Sequence, residues 1–109
     1  MHDSTTPDPT ITELYERGRH LLESGEAREA LGHLRAAHEQ APQHARIRSL
    51  YGLALARAER RFAEAVELCN SALKQEFFNP SLYYNAAQVY LEYDFKADAI
   101  RCLKSGLMV

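Results

Sequence analysis

The fold this sequence predicts is all-α, a stack of three antiparallel helix-turn-helix hairpins with six helices. Three observations predict it. Apolar residues recur at helical spacing in six separate runs, prolines and a Ser-Gly pair punctuate the gaps, and one small-residue register repeats along the chain. Ala30, Ala65 and Ala99 lie 35 and 34 residues apart. Offsets of one, four and seven from each give an apolar and mostly matched set: Leu31, Leu34 and Ala37; Val66, Cys69 and Ala72; Ile100, Leu103 and Gly106. Each alanine is preceded by a small residue, Gly18, Gly52 or Ala87, at distances of 12, 13 and 12. Small residues at those sites let two antiparallel helices cross closely, while larger apolar residues fill the space between hairpins. A single hairpin cannot bury its own apolar face, so stacking must stabilise the array.

Residues 1–9 are polar and proline-containing and read as a disordered N-terminal arm. The helical domain spans 10–109, with repeats at about 11–44, 45–79 and 80–109. Thr10 and Glu13 form the capping box that starts the first helix, which carries Ile11, Leu14, Tyr15, Gly18, Leu21 and Leu22 and stops at Ser24-Gly25. The second runs through Ala27, Ala30, Leu31, Leu34 and Ala37, and Pro42 forbids its continuation. The second pair follows on Ile47, Leu50, Tyr51, Ala54 and Ala58, then Phe62, Ala65, Val66, Cys69, Ala72 and Leu73. Asn79 caps the fifth helix and Pro80 is tolerated at its first position. Its stripe is Leu82, Ala86, Val89, Tyr90 and Tyr93, and the sixth helix carries Ala99, Ile100, Leu103 and Leu107.

With 46% apolar and 26% charged residues in 109, the composition is that of one soluble globular domain. A net charge of −2 gives no global positive field, so neither nucleic acid nor an anionic membrane is an expected partner. Charge is nevertheless segregated: Arg46, Arg48, Arg57, Arg60 and Arg61 stand near one another in sequence, opposed only by Glu59. A solvated turn is favoured for Arg57, Arg60 and Arg61 over a site for an acidic partner. Met1 to Thr10 shows no basic start followed by an apolar stretch, and no run approaches the length that spans a bilayer, so the expected location is cytoplasmic, without membrane insertion. Cys69 and Cys102 have no metal or redox spacing and sit on neighbouring hairpins, roughly 8 to 10 Å apart, which disfavours a disulfide. His20, His33, His38 and His44 lack a ligand pattern, and no nucleophile elbow or phosphate-cradling Gly loop occurs. No enzyme activity, metal or cofactor is expected.

The period of 34, with Gly18, Ala30, Ala37 and Pro42 in the first unit, resembles the tetratricopeptide repeat over about residues 11 to 109. Departures are Leu14, Arg48 and Tyr83 at the large-residue position, an extra residue around Arg60, and Phe77 where the terminal proline usually stands. The resemblance implies a right-handed superhelical stack whose first helices line a concave groove that grips a peptide or helix of a partner protein. Position by position, that groove would carry Tyr15, Arg19 and Leu22, then Ser49, Leu53, Ala56 and Arg57, then Tyr84, Gln88 and Leu91. Most of the tyrosines read as packing residues, and Tyr15 and Tyr84 stay open between groove and core. One subclass clamps the C-terminal carboxylate of heat-shock chaperones. The equivalent positions here include Tyr15, Arg19, Leu50, Ser81 and Asn85, of which only Arg19 and Asn85 suit a carboxylate, so chaperone tails are not an expected ligand.

The favoured function is thus a protein-interaction adaptor or scaffold. The alternatives are a small secretion-type chaperone that shields an assembling subunit, and a non-catalytic regulatory fragment of a larger enzyme. The last helix leaves Leu103, Leu107 and Met108 without a following helix to cover them. Either the 109 residues belong to a longer repeat protein, or this face pairs with a second copy as a homodimer.

Overall fold

A computed structural model describes residues 9–109, so all of the expected N-terminal arm except Pro9 lies outside the described residues. Six helices follow one another: α1 (Ile11–Glu23), α2 (Ala27–Gln40), α3 (Ala45–Ala58), α4 (Phe62–Gln75), α5 (Pro80–Glu92) and α6 (Lys96–Leu107). There is no strand among the described residues. Consecutive helices pair as hairpins α1–α2, α3–α4 and α5–α6, and α3 and α5 each also pack against the hairpin before them.

Local chemistry sets the boundaries. The Glu13 N–H donates to Thr10 Oγ1 and the Thr10 N–H to Glu13 Oε1, both at 3.1 Å, so two orphan donors of the first turn are satisfied reciprocally. The hydrogen bonds from Thr10 hold the Glu13 carboxyl below its ordinary pKa. At α5 the Asn79 side chain accepts from the Ser81 N–H at 3.1 Å, with Pro80 in the first turn. His44 does the same for α3, its Nδ1 accepting from the Ile47 N–H at 3.4 Å.

The three turns inside the hairpins share a device. Gly25, Arg60 and Asp94 all have positive φ, at 82°, 55° and 62°. Each lies five residues before the alanine of the repeated register, Ala30, Ala65 or Ala99. The extra residue of the second unit is absorbed at the end of α3, which has 14 residues against 13 in α1 and α5. There the Arg61 N–H reaches back to the Leu55 carbonyl at 3.5 Å, whereas the matching Glu26 and Phe95 N–H groups reach Leu21 and Tyr90 at 2.8 and 2.9 Å.

Within the hairpins, Gly18 lies against the Leu34 side chain, and a Cβ at Gly52 would stand 3.0 Å from the Ala65 carbonyl oxygen. These are the close crossings that the small-residue register predicts. The core runs along the stack with α3 at its centre, where ten residues are buried, while α6 buries only Ala99. No described helix is long and apolar enough to cross a membrane.

Candidate functional site

The first helices of the three hairpins, α1, α3 and α5, line a groove of about 580 Å³. Its walls contain Tyr15, Arg19, Leu22, Leu53, Arg57, Tyr84 and Gln88, all named from the sequence, together with Glu23, Leu50, Ser81 and Asn85. A second recess of about 420 Å³ shares Tyr15, Ser81 and Asn85 with the first and adds Arg46, Phe78, Asn79, Pro80 and Leu82. The two are sections of one concave face.

The floor is apolar, with Leu22, Leu50 and Leu53 almost wholly buried. Tyr15 is half-buried, and burial raises its phenol pKa above the ordinary value. Tyr84 stands at the rim with 58% of its surface exposed, and Phe78 in the second recess is as open, so the face offers two large aromatics to a ligand.

All three arginines of the face are engaged within the chain, Arg46 of the second recess through Glu76 at 3.4 Å. Arg19 pairs with Glu16 at 2.7 Å and Glu23 at 2.9 Å, and the Glu16 hydrogen bond raises its pKa further. Arg57 donates to Glu92 at 3.1 Å and to Gln88 Oε1 at 2.6 Å. The face is therefore close to charge-balanced, and an incoming carboxylate must compete with resident ones for any guanidinium.

Two amides complete the site. The Asn85 Nδ2 donates to the buried Ser49 Oγ at 3.0 Å, which leaves its Oδ1 to accept. Gln88 accepts from Arg57, which leaves its Nε2 to donate. One helical turn of α5 thus presents a fixed acceptor and a fixed donor, the pair that an extended peptide backbone requires.

Three sequence-named positions fall elsewhere. Ser49 is fully buried beneath the groove, where it orients Asn85. Ala56 is fully buried in the core, and its carbonyl accepts from the Tyr93 hydroxyl at 3.3 Å. Both are covered because α5 packs across α3, so a first-helix position in the middle hairpin can face its neighbour instead of the groove. Leu91 is exposed on α5 and lies outside both recesses. Glu23 and Phe78 went unnoticed as lining residues. Glu23 was findable as the i+4 partner of Arg19, and Phe78 as half of an apolar pair between two helices.

Arg57 is half-buried, and Arg60 is an exposed turn residue as the solvated-turn reading expects, yet neither is unpartnered. They tie α3 to the next hairpin: Arg60 pairs with Glu92 at 3.5 Å, donates to the Glu92 carbonyl at 3.2 Å and lies 4.4 Å over the Tyr93 ring. Arg61 stays at the turn, pairing with Glu59 and Glu64. No group of three His, Cys, Asp or Glu suited to a metal occurs among the described residues. Cys69 is buried, which pushes its thiol pKa up to about 12, and Cys102 is half-buried, with its pKa raised by the same cause. At the far end of the stack Leu103, Leu107 and Met108 are exposed.

No protein-family model matches the chain, and no curated protein matches it either. Among solved structures it is similar to YrrB, a TPR protein with an unusual peptide-binding site, at a TM-score of 0.71 and 22% identity. The match covers 93% of this chain and 52% of that one, so this chain spans about half the length of YrrB. The likeness is one of fold: six helices packed as sequential hairpins in the tetratricopeptide-repeat arrangement.

Proposed function

On that fold, we propose that the chain is a protein-interaction module whose concave face binds an extended or helical segment of another protein. The observation that carries this reading is convergence: seven residues from three separate helices meet on one groove with a leucine floor, an exposed aromatic rim and an oriented donor-acceptor pair. The peptide-binding site ascribed to YrrB supports the same assignment. Apolar anchoring supplies affinity and the Asn85–Gln88 pair supplies backbone register. Because Arg19 and Arg57 are internally paired, the groove selects neutral over strongly acidic segments. With its cysteines unbridged, the module suits a reducing compartment such as the cytoplasm.

The test is a displayed peptide library selected on the whole chain, with the recovered peptides measured by fluorescence anisotropy. Tyr84→Ala should raise Kd by about tenfold or more, since a rim aromatic is the type of residue that dominates peptide interfaces. Gln88→Ala should weaken binding less, and Arg28→Ala, on the exposed side of α2, should leave it unchanged. Peptides that bind the Tyr84→Ala and Gln88→Ala chains as tightly as the parent would place the site elsewhere.

A further inference from the structure

Two groove amides restrict how a ligand can lie on the concave face. The Asn85 Nδ2 is spent on Ser49 and the Gln88 Oε1 on Arg57, which leaves an acceptor at residue 85 and a donor at residue 88. They stand three residues apart on α5, about 4.5 Å along its axis. In an extended chain the N–H and C=O of one residue point to the same side, as in a hydrogen-bonded pair of antiparallel strands. One ligand residue can therefore donate its N–H to Asn85 Oδ1 while its C=O accepts from Gln88 Nε2. A helical ligand satisfies those groups internally and would leave both amides unanswered. Because the N–H precedes the C=O along a chain, an extended ligand held this way runs in the direction of α5, from residue 85 towards residue 88.

The recesses set the spacing of its side chains. On α5 the second recess is lined by Pro80, Ser81, Leu82 and Asn85, and the first by Ser81, Tyr84, Asn85 and Gln88. The displacement is about one helical turn, roughly 5 Å. Side chains on one side of an extended chain recur every second residue, about 7 Å apart, so a spacing of two fills both recesses and a spacing of four, at about 13 Å, overshoots. The first recess has the leucine floor, whereas the second is walled by Tyr15 and Phe78. The openness of Phe78 belongs to its loop: Gln43 stands at the equivalent place between α2 and α3 and is exposed too, although a hairpin follows it. Arg19, Arg46 and Arg57 each face a resident glutamate, so charge complementarity calls for a neutral occupant.

We propose, on the premise that the concave face is the binding site, that its ligand is a neutral extended segment with an aromatic residue, any residue and an aliphatic residue in that order, running parallel to α5. The aromatic side chain enters the recess of Tyr15 and Phe78. Two residues later the aliphatic side chain lies on the leucine floor, and the backbone of that residue bonds Asn85 and Gln88.

NMR titration of the isotope-labelled whole chain tests this with two end-blocked probes, Ser-Gly-Phe-Ser-Leu-Gly-Ser and the reversed Ser-Gly-Leu-Ser-Phe-Gly-Ser. The forward probe should bind about tenfold tighter than the reversed one, since reversal forfeits both amide hydrogen bonds. Methylating the Leu backbone nitrogen of the forward probe should cost about fivefold on the parent and nothing on Asn85→Ala, whose acceptor is gone. Phe78→Ala, at an exposed loop residue, should weaken the forward probe and leave helical circular dichroism unchanged. Equal affinity for the two probes overturns the direction, as does the same methyl penalty on parent and Asn85→Ala. Failure of the forward probe to bind, while library-selected peptides shift the groove amides, overturns this inference and leaves the groove reading standing. If the selected peptides shift only residues outside both recesses, the groove reading falls with it.

Discussion

His38 sits at the joint between the first two hairpins, its ring stacked on Tyr51 with centroids 4.8 Å apart. Its Nδ1 is buried without a hydrogen-bond partner. Burial lowers its pKa below the ordinary 6.5, the Arg48 charge lowers it further, and Glu39 and Glu64 oppose the shift. A base with a depressed folded pKa favours the folded state when neutral. Its contribution is present above pH 6.5 and is lost as pH falls through the folded value. Thermal unfolding should therefore show a decline in Tm that begins on the acid side of neutrality, above the carboxylate range in which Glu13 and Glu76 titrate. His38→Phe keeps the stack and removes the unpaired nitrogen, so it should stabilise the chain by about 1 kcal/mol at neutral pH and flatten that decline. An unchanged pH profile in the variant would show that another group controls it. Single residues also mark where sequence reading stopped. Tyr15, Arg19 and Tyr84 were expected in the groove from the family resemblance, with both tyrosines left open between groove and core, and they line it; Ser49, in the register of Tyr15 and Tyr84, and Ala56, in the register of Leu22 and Leu91, were expected there too and are covered. Burial by a neighbouring hairpin is a tertiary event, and helical periodicity carries no record of which side the neighbour takes.

At the scale of elements, helix positions were legible almost throughout because caps, prolines and the small-residue register agree with one another. The turns inside the hairpins were legible only in the first. Gly25 signals its left-handed conformation, whereas Asp94 signals the same conformation only weakly and Arg60 not at all. Gly25 and Asp94 should respond in opposite directions. Gly25→Ala has open space around the new Cβ, so its cost is backbone strain alone, about 1 kcal/mol of stability by denaturant titration. Asp94→Gly should gain up to about 1 kcal/mol, since its ion pair with Lys96 is highly exposed and worth little. If Asp94→Gly is instead destabilising, the left-handed turn is not what limits the third hairpin. The crossings give a second check. Gly52→Ala would press a methyl against the Ala65 carbonyl oxygen, a backbone atom that cannot rotate away, and should cost about 1 to 3 kcal/mol. Chevron analysis would show how much of that cost falls on unfolding.

Taken whole, the molecule is a stack with unlike ends. The α1 end turns Glu13, Glu16, Arg17 and His20 outward, the α6 end turns out Ile100, Leu103 and Leu107, and α3 lies between with neighbours on both sides. Repeat arrays distribute stability through nearest-neighbour interfaces, and a terminal unit has one such interface where a central unit has two. The third hairpin still gains the Arg57 and Arg60 ties to Glu92, which span more than thirty residues and so were not legible from helical spacing. Those ties hold α5. Among the helices, α6 buries only Ala99, and its contacts are chiefly with α5. Native-state hydrogen exchange should therefore find a sub-global opening in which α6 amides exchange at a lower free energy than those of α3, with α5 nearer to α3. A single free energy shared by α3 and α6 would mean that the stack opens all at once and that buried contacts do not set the order.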